Sequence, residues 1–344
     1  MNSEAPRVLI VRLSAVGDCV LTMPVACALR DRFPRARIAW MVQGGGASLL
    51  RGHRALDELI VVPKDVFRST KSFLGLRKTL RDGKYDVVIE SQGLTKSALL
   101  GRLSGAPRRI GFTRGPFRGR ELSTWLNNEL ITPTTDHVVD QQLELLQPLG
   151  VNDPFVHFDV PRHQVDGDVV DALLKERTAA DEYVLIQPGA GWPSKLWPTE
   201  RYAGVAAWLG KRGLRSIVLW AGDEERRFAD EIVAGANGAA LAAPPTTLPQ
   251  VAELARRARF FLGPDTGPLH LAAAVGTPCL GLYGPMPATR CGPYGSKHIV
   301  LQNACLEGGT RNRRRAGAET MKAISVAEVC GAAERMLSRA RAAA

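Results

Sequence analysis

Short, uniformly apolar runs alternate along the chain with longer segments of helical periodicity. The first run, residues 8–11, contains only Val, Leu and Ile, which is typical of a parallel strand buried on both faces. A segment with the pattern of a helix follows and ends at Pro34. In the first half, the alternation predicts strands at 8–11, 38–42, 59–62, 85–89 and 109–112, and helices at 20–32 and 73–81.

The same alternation restarts after a polar, proline-containing stretch at residues 152–181. Repeated strand–helix units predict parallel sheets with helices on both faces, so two such series predict an α/β protein with two doubly wound domains. A length of 344 residues also fits two domains. Ligands of these sheets bind beyond the carboxyl ends of the strands, and we expect a cleft between the domains. The second series has predicted strands at 183–187, 217–220, 259–262 and 279–283, and predicted helices at 199–211, 224–234 and 268–275.

Composition narrows the class of protein. A hydrophobic content of 45% with 23% charged residues is that of a globular chain, which excludes a wholly disordered one. No apolar run is long enough to span a bilayer, and the amino terminus lacks the pattern of a secretory signal. The six cysteines form no C-x-x-C pair and no zinc-finger spacing, so we expect free thiols in a reducing cytoplasm. The arginine-rich run 311–315 is expected to be a solvated loop.

The first segment that could carry chemistry is residues 14–18, Ser-Ala-Val-Gly-Asp, directly after the first strand. Gly17 permits a tight turn, and Asp18 comes at or near the start of a helix. A carboxylate there either accepts backbone N–H bonds of the helix or faces the ligand as a general base. The segment is not a dinucleotide fingerprint, because G-x-G-x-x-G is absent.

The second segment, residues 187–198, follows the first strand of the second half. Gly189 and Gly191 allow the backbone to approach a ligand, and Lys195 supplies a positive charge for phosphate oxygens. The alternative is a Gly/Pro turn followed by a solvated lysine.

The third segment, residues 263–270, joins a strand to a helix in which Pro268 occupies the first turn. The free N–H groups of Thr266 and Gly267 would point out of this helix terminus, where the dipole favours anions. His270 lies one turn further, as a ligand-facing or a core histidine. A fourth segment, 222–225, offers Asp223 either to the hydroxyls of a ribose or to the start of a helix.

Residues 14–18, 195–198 and 265–270 together resemble the ADP-heptose:lipopolysaccharide heptosyltransferases, glycosyltransferase family nine, over about residues 8–283. Residues 92–98, Gln-Gly-Leu-Thr-Lys-Ser-Ala, look most like the type I branch, which adds the first heptose to a Kdo sugar of the inner core. The resemblance implies a GT-B fold with an acceptor-binding domain at 1–160 and a nucleotide-sugar domain at 161–325. The remaining helix, 326–344, is expected to pack back on the first domain.

The resemblance also implies an inverting, metal-independent transfer without a cofactor. Asp18 would take the proton of the acceptor hydroxyl, and Lys195 would stabilise the diphosphate leaving group. The residues expected to bind the donor, ADP-heptose, are Ser14, Gly189, Ala190, Lys195, Asp223, Asp265, Thr266, Gly267 and His270. Those expected to bind the acceptor are Lys64, Arg68, Lys71, Gln92, Lys96 and Arg120.

The excess of positive charge is concentrated in the first half. Of the net charge of +11, residues 1–150 carry +8 and residues 151–344 carry +3, and segment 51–120 alone carries +10. Its position favours an anionic glycolipid acceptor, the lipid A core, at the inner face of the cytoplasmic membrane, and it makes nucleic acid the least favoured partner. Two alternatives stay open: a sugar-nucleotide epimerase on the same fold, and a non-catalytic protein that binds sugar nucleotides or glycolipids.

Overall fold

The computed structural model describes residues 5–115, 119, 121–177 and 182–342. The chain divides into two compact units, Met1–Pro161 and Arg162–Ala344. Each unit contains one six-stranded sheet in which all paired strands are parallel. The expected α/β class with two doubly wound domains is confirmed.

The sheet of the first unit has the strand order β3-β2-β1-β4-β5-β6. Chain order reverses between β1 and β4, and the loops that leave the carboxyl ends of these two strands therefore flank the place where such sheets bind ligands. The strands are β1 (Arg7–Val11), β2 (Arg37–Val42), β3 (Glu58–Val61), β4 (Val87–Glu90), β5 (Arg108–Phe112) and β6 (Glu129–Ile131), and the helices are α1 (Val16–Arg32), α2 (Gly46–Leu50), α3 (Thr70–Asp82), α4 (Thr95–Leu103), α5 (Ser123–Leu126) and α6 (Val138–Glu144).

The second unit repeats this topology with the order β12-β11-β10-β7-β8-β9. Here the reversal lies between β7 and β10. The strands are β7 (Tyr183–Ile186), β8 (Arg215–Val218), β9 (Ala240–Ala242), β10 (Phe261–Pro264), β11 (Cys279–Leu282) and β12 (Ile299–Leu301), and the helices are α7 (Gln164–Arg177), α8 (Thr199–Gly210), α9 (Gly222–Gly235), α10 (Leu248–Arg257), α11 (Gly267–Ala274), α12 (Ala288–Cys291), α13 (Thr310–Arg315), α14 (Glu319–Lys322) and α15 (Val326–Ala342).

The central strands are buried along their whole length, as their uniform apolar runs predict. Every residue of β4, β7, β10 and β11 is buried, because helices cover both faces of a sheet of this kind. In the second unit, the core also includes Trp197, whose ring meets Tyr202 edge to face with centroids 4.7 Å apart. Trp197 therefore fixes the loop that carries Lys195.

One helix of the second unit was not predicted, and one expectation about this unit was wrong. The polar stretch 152–181 contains the helix α7, which packs on α10 although little of it is apolar and buried: Val170 and Leu173 are its buried hydrophobic residues. The arginine-rich run is the helix α13 rather than a solvated loop, because Arg313 is buried and donates hydrogen bonds to the carbonyls of Pro285 and Gly308 at 2.5 and 2.9 Å.

The carboxyl-terminal helix α15 forms part of the second unit, where it packs against α8, β11 and β12. Its expected packing on the first domain stays a prediction. Within the ranges that the structure describes, no helix is both long and apolar enough to cross a membrane. All six cysteines are free, and only Cys305 is exposed.

Candidate functional site

Asp18 lies in the first turn of α1, at the carboxyl end of β1. One carboxylate oxygen is 2.8 Å from a guanidinium nitrogen of Arg12, and the other accepts a hydrogen bond from the N–H of Ala15 at 3.2 Å. The Asp18 side chain is 43% exposed, whereas that of Arg12 is 9% exposed. Asp18 therefore accepts a backbone hydrogen bond at the start of α1, which is the first of the two roles that the sequence left open. Its carboxylate is also accessible to solvent, as the second role, that of a general base, requires.

Arg12 connects the two loops at the strand-order reversal of the first unit. Besides Asp18, it contacts the loop after β4 by donating to the carbonyl of Ser91 at 2.6 Å. Gln92 in this loop accepts a hydrogen bond from the N–H of Leu13 at 2.9 Å. The structure therefore brings the predicted residues Asp18 and Gln92 to one edge of the sheet, with the exposed Ser14 between them in the loop after β1.

Glu90 holds the loop that carries Gln92. Its carboxylate accepts hydrogen bonds from the N–H of Gly93 at 2.8 Å and from the hydroxyl of Ser97 at 2.7 Å. Burial raises the pKa of Glu90, and these hydrogen bonds offset part of that increase. Sequence reasoning missed Glu90 and Arg12, although each is a charged residue at the end of a buried apolar strand, which is a recognisable signal.

The basic residues expected to bind the acceptor lie next to this edge or on the following loop. Lys96, on α4, donates to the side-chain oxygen of Gln43 at 2.7 Å and sits 5.6 Å from the ring centroid of Phe67. Lys64 and Arg68 are exposed in the segment between β3 and α3, which also contains Phe67, and Lys71 is exposed in the first turn of α3. The remaining residue, Arg120, lies outside the described residues.

In the second unit, Lys195 and Asp265 form a largely buried ion pair. The ammonium nitrogen of Lys195 lies 2.5 Å from a carboxylate oxygen of Asp265 and 3.1 Å from its main-chain carbonyl. Their side chains are 14% and 11% exposed. Lys195 also sits 4.5 Å above the ring of Trp192, so its charge is held against the end of β10.

His270 completes this cluster. Its Nε2 is 3.1 Å from the other carboxylate oxygen of Asp265, and its Nδ1 is buried without a hydrogen-bond partner among the residues that the structure covers. Burial alone would raise the pKa of Asp265, but the neighbouring Lys195 and His270 outweigh it and hold that pKa well below its usual range. A buried carboxylate thus stays ionised, which fixes the ammonium of Lys195 in place.

The helix α11 begins beside this cluster. Thr266 is its extended N-cap residue, and Gly267 and Pro268 form its first positions. The first N–H groups of a helix have no partner within it, and the helix dipole favours negative charge there. Lys195 and this helix terminus therefore present positive charge at the strand-order reversal of the second unit.

Glu225, which was not singled out from the sequence, places its carboxylate at the end of β7. Glu225 accepts hydrogen bonds from the side chain of Gln187 at 3.0 Å and from the N–H of Ala221 at 2.9 Å. A Cβ atom on Gly189 would come within 2.1 Å of the Glu225 carboxyl group. Asp223 is exposed in the first turn of α9, and Ala190 is half-buried beside Gly189.

Each unit brings together the predicted residues that its own two central loops carry. Sequence reasoning missed the residues that hold these loops, and it missed Glu225, while the role of Asp223 stays a prediction. Two residues along a helix rotate the side chain by about 200°, so Asp223 and Glu225 point in different directions although they are close in sequence.

Residues 73–318 match the family described as Glycosyltransferase family 9 (heptosyltransferase). Lipopolysaccharide heptosyltransferase 1 of Escherichia coli K12 is 29% identical over 86% of this chain and 93% of its own length. Lipopolysaccharide heptosyltransferase 3 of the same strain is 30% identical over 78% of this chain and 79% of its own length. Because both types match at nearly equal identity, the type I assignment stays a prediction.

Solved structures show the same fold. A glycosyltransferase family 9 protein from Veillonella parvula superimposes with a TM-score of 0.85 at 23% identity and covers 98% of this chain and 99% of its own. The E. coli heptosyltransferase WaaC with ADP-2-deoxy-2-fluoro heptose gives 0.72 at 23% identity over 95% and 99% of the two chains. The architecture is therefore the GT-B fold.

Proposed function

The chain belongs to glycosyltransferase family 9, the heptosyltransferase family, and we propose that it transfers a heptose from ADP-heptose to the inner core of lipopolysaccharide. The observation that carries this proposal is the cluster of Lys195, Asp265 and His270 at the start of α11. Such a cluster suits a diphosphate, since a fixed ammonium and a helix N-terminus both attract phosphate oxygens.

The second unit supplies the donor site in this proposal. Lys195, Thr266 and Gly267 contact the diphosphate, and the buried ring nitrogen of His270 is left for a further ligand oxygen. Asp265 orients Lys195 and contacts the donor sugar. The backbone at Gly189 and Ala190 and the carboxylates of Asp223 and Glu225 line the nucleoside end, where a carboxylate pairs well with ribose hydroxyls. Ser14 of the first unit completes the expected donor contacts.

The first unit supplies the base. Asp18 accepts the proton of the acceptor hydroxyl as the hydroxyl oxygen forms its bond to the anomeric carbon of heptose. The bond from that carbon to the ADP oxygen breaks, and the electron pair leaves with the diphosphate. Attack and departure on opposite faces invert the anomeric configuration. Lys195 and the N-terminus of α11 stabilise the growing negative charge of ADP, so no step is assigned to a metal ion.

The basic residues of the first unit face the acceptor. Lys64, Arg68 and Lys71 share their part of the chain with two exposed apolar side chains, Phe67 at 48% and Leu74 at 58% exposure. Positive charge beside exposed apolar groups suits a glycolipid with anionic sugars and phosphates, presented at a membrane surface. We accordingly place the protein on the inner face of the cytoplasmic membrane as a peripheral protein, with Gln92, Lys96 and Arg120 nearer to the accepting sugar.

The test is transfer from ADP-heptose to Kdo-lipid A and to a heptosylated core acceptor in parallel, followed by mass spectrometry. We expect one heptose to be added to Kdo-lipid A with release of one ADP, and less addition to the heptosylated acceptor. Preference for the heptosylated acceptor would overturn the type I assignment alone. Conversion of the ADP-sugar without any acceptor would show an epimerase, and binding without turnover a non-catalytic protein.

The basic segment is expected to determine binding to anionic membranes. Replacing Lys64, Arg68 and Lys71 with Gln removes three charges worth about 1 kcal/mol each near such a surface, so the affinity should fall by up to ~100-fold. Co-sedimentation with anionic vesicles at several salt concentrations measures it.

The matched control changes Arg311, Arg314 and Arg315 to Gln, which removes equal charge from exposed positions of the second unit. This variant should bind vesicles like the unchanged protein. An equal loss in both variants, or binding that does not respond to salt, would contradict a specific basic surface.

Gly189→Ala is expected to weaken ADP binding without unfolding the protein. The new methyl group would occupy the position of the Glu225 carboxyl group and displace it from Gln187 and Ala221. Gly167→Ala, in α7 of the same unit, is the matched control, because a Cβ atom there makes only an ordinary contact, with Arg257 at 3.8 Å. Calorimetric titration should show that ADP affinity falls by about tenfold or more only in Gly189→Ala. A fall of this size corresponds to the loss of one hydrogen bond to a charged group. Equal affinities in the two variants would remove Glu225 from the donor site.

A further inference from the structure

A second group of reactive side chains lies in the first unit, at the end of α1 remote from Asp18. Cys27 is on α1, and His157 and Asp159 are in the segment that ends the unit. The sulfur of Cys27 is 3.7 Å from a carboxylate oxygen of Asp159, and that oxygen is 2.9 Å from Nδ1 of His157. The three ligand-type atoms all lie within 4.8 Å of one another.

These separations are close to those around a tetrahedral zinc ion. Zinc binds thiolate at about 2.3 Å and nitrogen or oxygen at about 2.0–2.2 Å, so tetrahedral ligand atoms stand roughly 3.3–3.6 Å apart. The 3.7 Å between Cys27 and Asp159 already fits, and the 2.9 Å between Asp159 and His157 would need to widen by a few tenths of an ångström. A thiolate, an imidazole and a carboxylate form a mixed set that zinc accepts well.

The orientation of His157 is fixed by a carboxylate on its other side. Its Nε2 lies 2.7 Å from a carboxylate oxygen of Asp31, which is on α1 one turn after Cys27. With Nε2–H donated to Asp31, the lone pair of Nδ1 points at Cys27 and Asp159 once that nitrogen loses its proton. Histidine ligands of zinc commonly donate their second nitrogen to a carboxylate in this way.

The backbone of the segment is held independently by His53. The N–H of Ala55 donates to Nδ1 of His53, so Nε2 carries the proton and donates to the carbonyl of Phe158 at 2.9 Å. Phe158 lies between the two other candidate ligands in sequence. His53 therefore positions their backbone while its own Nε2, 4.0 Å from the sulfur of Cys27, is already used.

We propose that Cys27, His157 and Asp159 bind one zinc ion, with Asp31 as the carboxylate that orients His157. On binding, the thiol proton of Cys27 and the Nδ1 proton of His157 pass to solvent, and water takes the fourth position. Arg54, which lies 2.5 Å from Asp159 with a side chain 73% exposed, has room to move toward solvent. Cys27 comes nine residues after Asp18, about 14 Å along the helix, so the ion fastens the 157–159 segment to α1 and takes no part in transfer.

The experiment measures zinc on full-length, tag-free protein that has been stripped with a chelator, given zinc and desalted. Elemental analysis should find one zinc per chain in the unchanged protein and in Cys305→Ser, which alters the exposed cysteine. Cys27→Ser and His157→Ala should lose it. With cobalt in place of zinc, an ultraviolet thiolate-to-metal band should appear and should be absent in Cys27→Ser.

Asp31→Asn keeps all three ligands and tests the orienting carboxylate, since loss of such a partner lowers metal affinity about 10–100-fold. Zinc should also raise the melting temperature of the unchanged protein, because it binds only the folded state. If Cys27→Ser does not fold, the Asp31→Asn affinity and the cobalt band of the unchanged protein decide the question. Less than stoichiometric zinc in the unchanged protein, unchanged zinc content in Cys27→Ser, unchanged zinc affinity in Asp31→Asn, or a cobalt spectrum without a thiolate band would overturn the proposal.

Discussion

Asp18→Asn is expected to slow heptose transfer by about 10²–10⁴-fold while ADP affinity stays the same, because the amide cannot accept the proton of the acceptor hydroxyl. The substitution keeps the shape of the side chain and leaves an oxygen that can accept from either Arg12 or the N–H of Ala15. Single-turnover transfer rates and calorimetric ADP titration, measured on the same preparation, separate the chemical step from donor binding.

The matched control is Asp86→Asn, at the opposite end of β1. Asp86, directly before β4, is an exposed carboxylate that accepts a hydrogen bond from the N–H of Arg7 at 2.7 Å, so the same chemical change is made at another carboxylate that accepts a backbone hydrogen bond. Its transfer rate should be unchanged. If Asp18→Asn lowers only the melting temperature and keeps the rate, the carboxylate serves the helix start and another group must be the base.

The strands were predictable because burial on both faces leaves an unambiguous mark in the sequence. Residues 8–11 and 279–282 are uniformly apolar and became β1 and β11 almost without change in their limits. The helix α7 and the strand β12 carry no such mark, since α7 buries few apolar side chains and β12 is only half-buried. Contacts with elements that are distant in the chain determine where α7 and β12 lie, and the periodicity of the local sequence does not indicate such contacts.

The same distinction applies to the site. Asp18, Lys195 and Asp265 follow apolar runs, where the topology of parallel sheets puts ligands, so local sequence is enough to propose them as site residues. The cluster of Cys27, His157 and Asp159 joins residues about 130 positions apart in the chain, so no local spacing reveals it. Arg12 and Glu225 are intermediate cases. Each charged residue can be noticed in the sequence, but the residues that it contacts cannot be predicted from it.

The ion pair of Lys195 and Asp265 makes the donor site sensitive to a change in either residue. An ionised carboxylate that is 11% exposed depends on its partner, and removing one member of a buried pair typically costs about 3–5 kcal/mol of unfolding free energy. The depressed pKa of Asp265 means that its contribution to stability is present above the usual carboxyl pKa and is lost as the pH falls. The unfolding free energy of any Lys195 variant must therefore be measured together with its transfer rate.

Lys195→Ala is expected to lower kcat/KM by about 10²–10³-fold, because the charge that develops on the leaving diphosphate loses its ammonium. Since that charge grows in the transition state, the loss in kcat/KM should exceed the loss in affinity for ADP-heptose, whose diphosphate has not yet gained it. Without Lys195, the pKa of Asp265 rises. The variant should then be less stable than the unchanged protein by the largest margin at neutral pH, and the margin should shrink as acid protonates the carboxyl group. Steady-state kinetics and urea unfolding at several pH values measure both effects.

Two comparisons make the result specific to this lysine. Lys211→Ala removes the same charge from the exposed end of α8 and should change neither rate nor the pH dependence of stability. Lys195→Arg keeps the charge and the pairing with Asp265, and it should recover much of the stability while placing the charge less accurately against the diphosphate. If Lys195→Ala instead lost stability alone and kept its kcat, the lysine would serve only to keep Asp265 ionised, and the helix N-terminus with His270 would have to stabilise the leaving group.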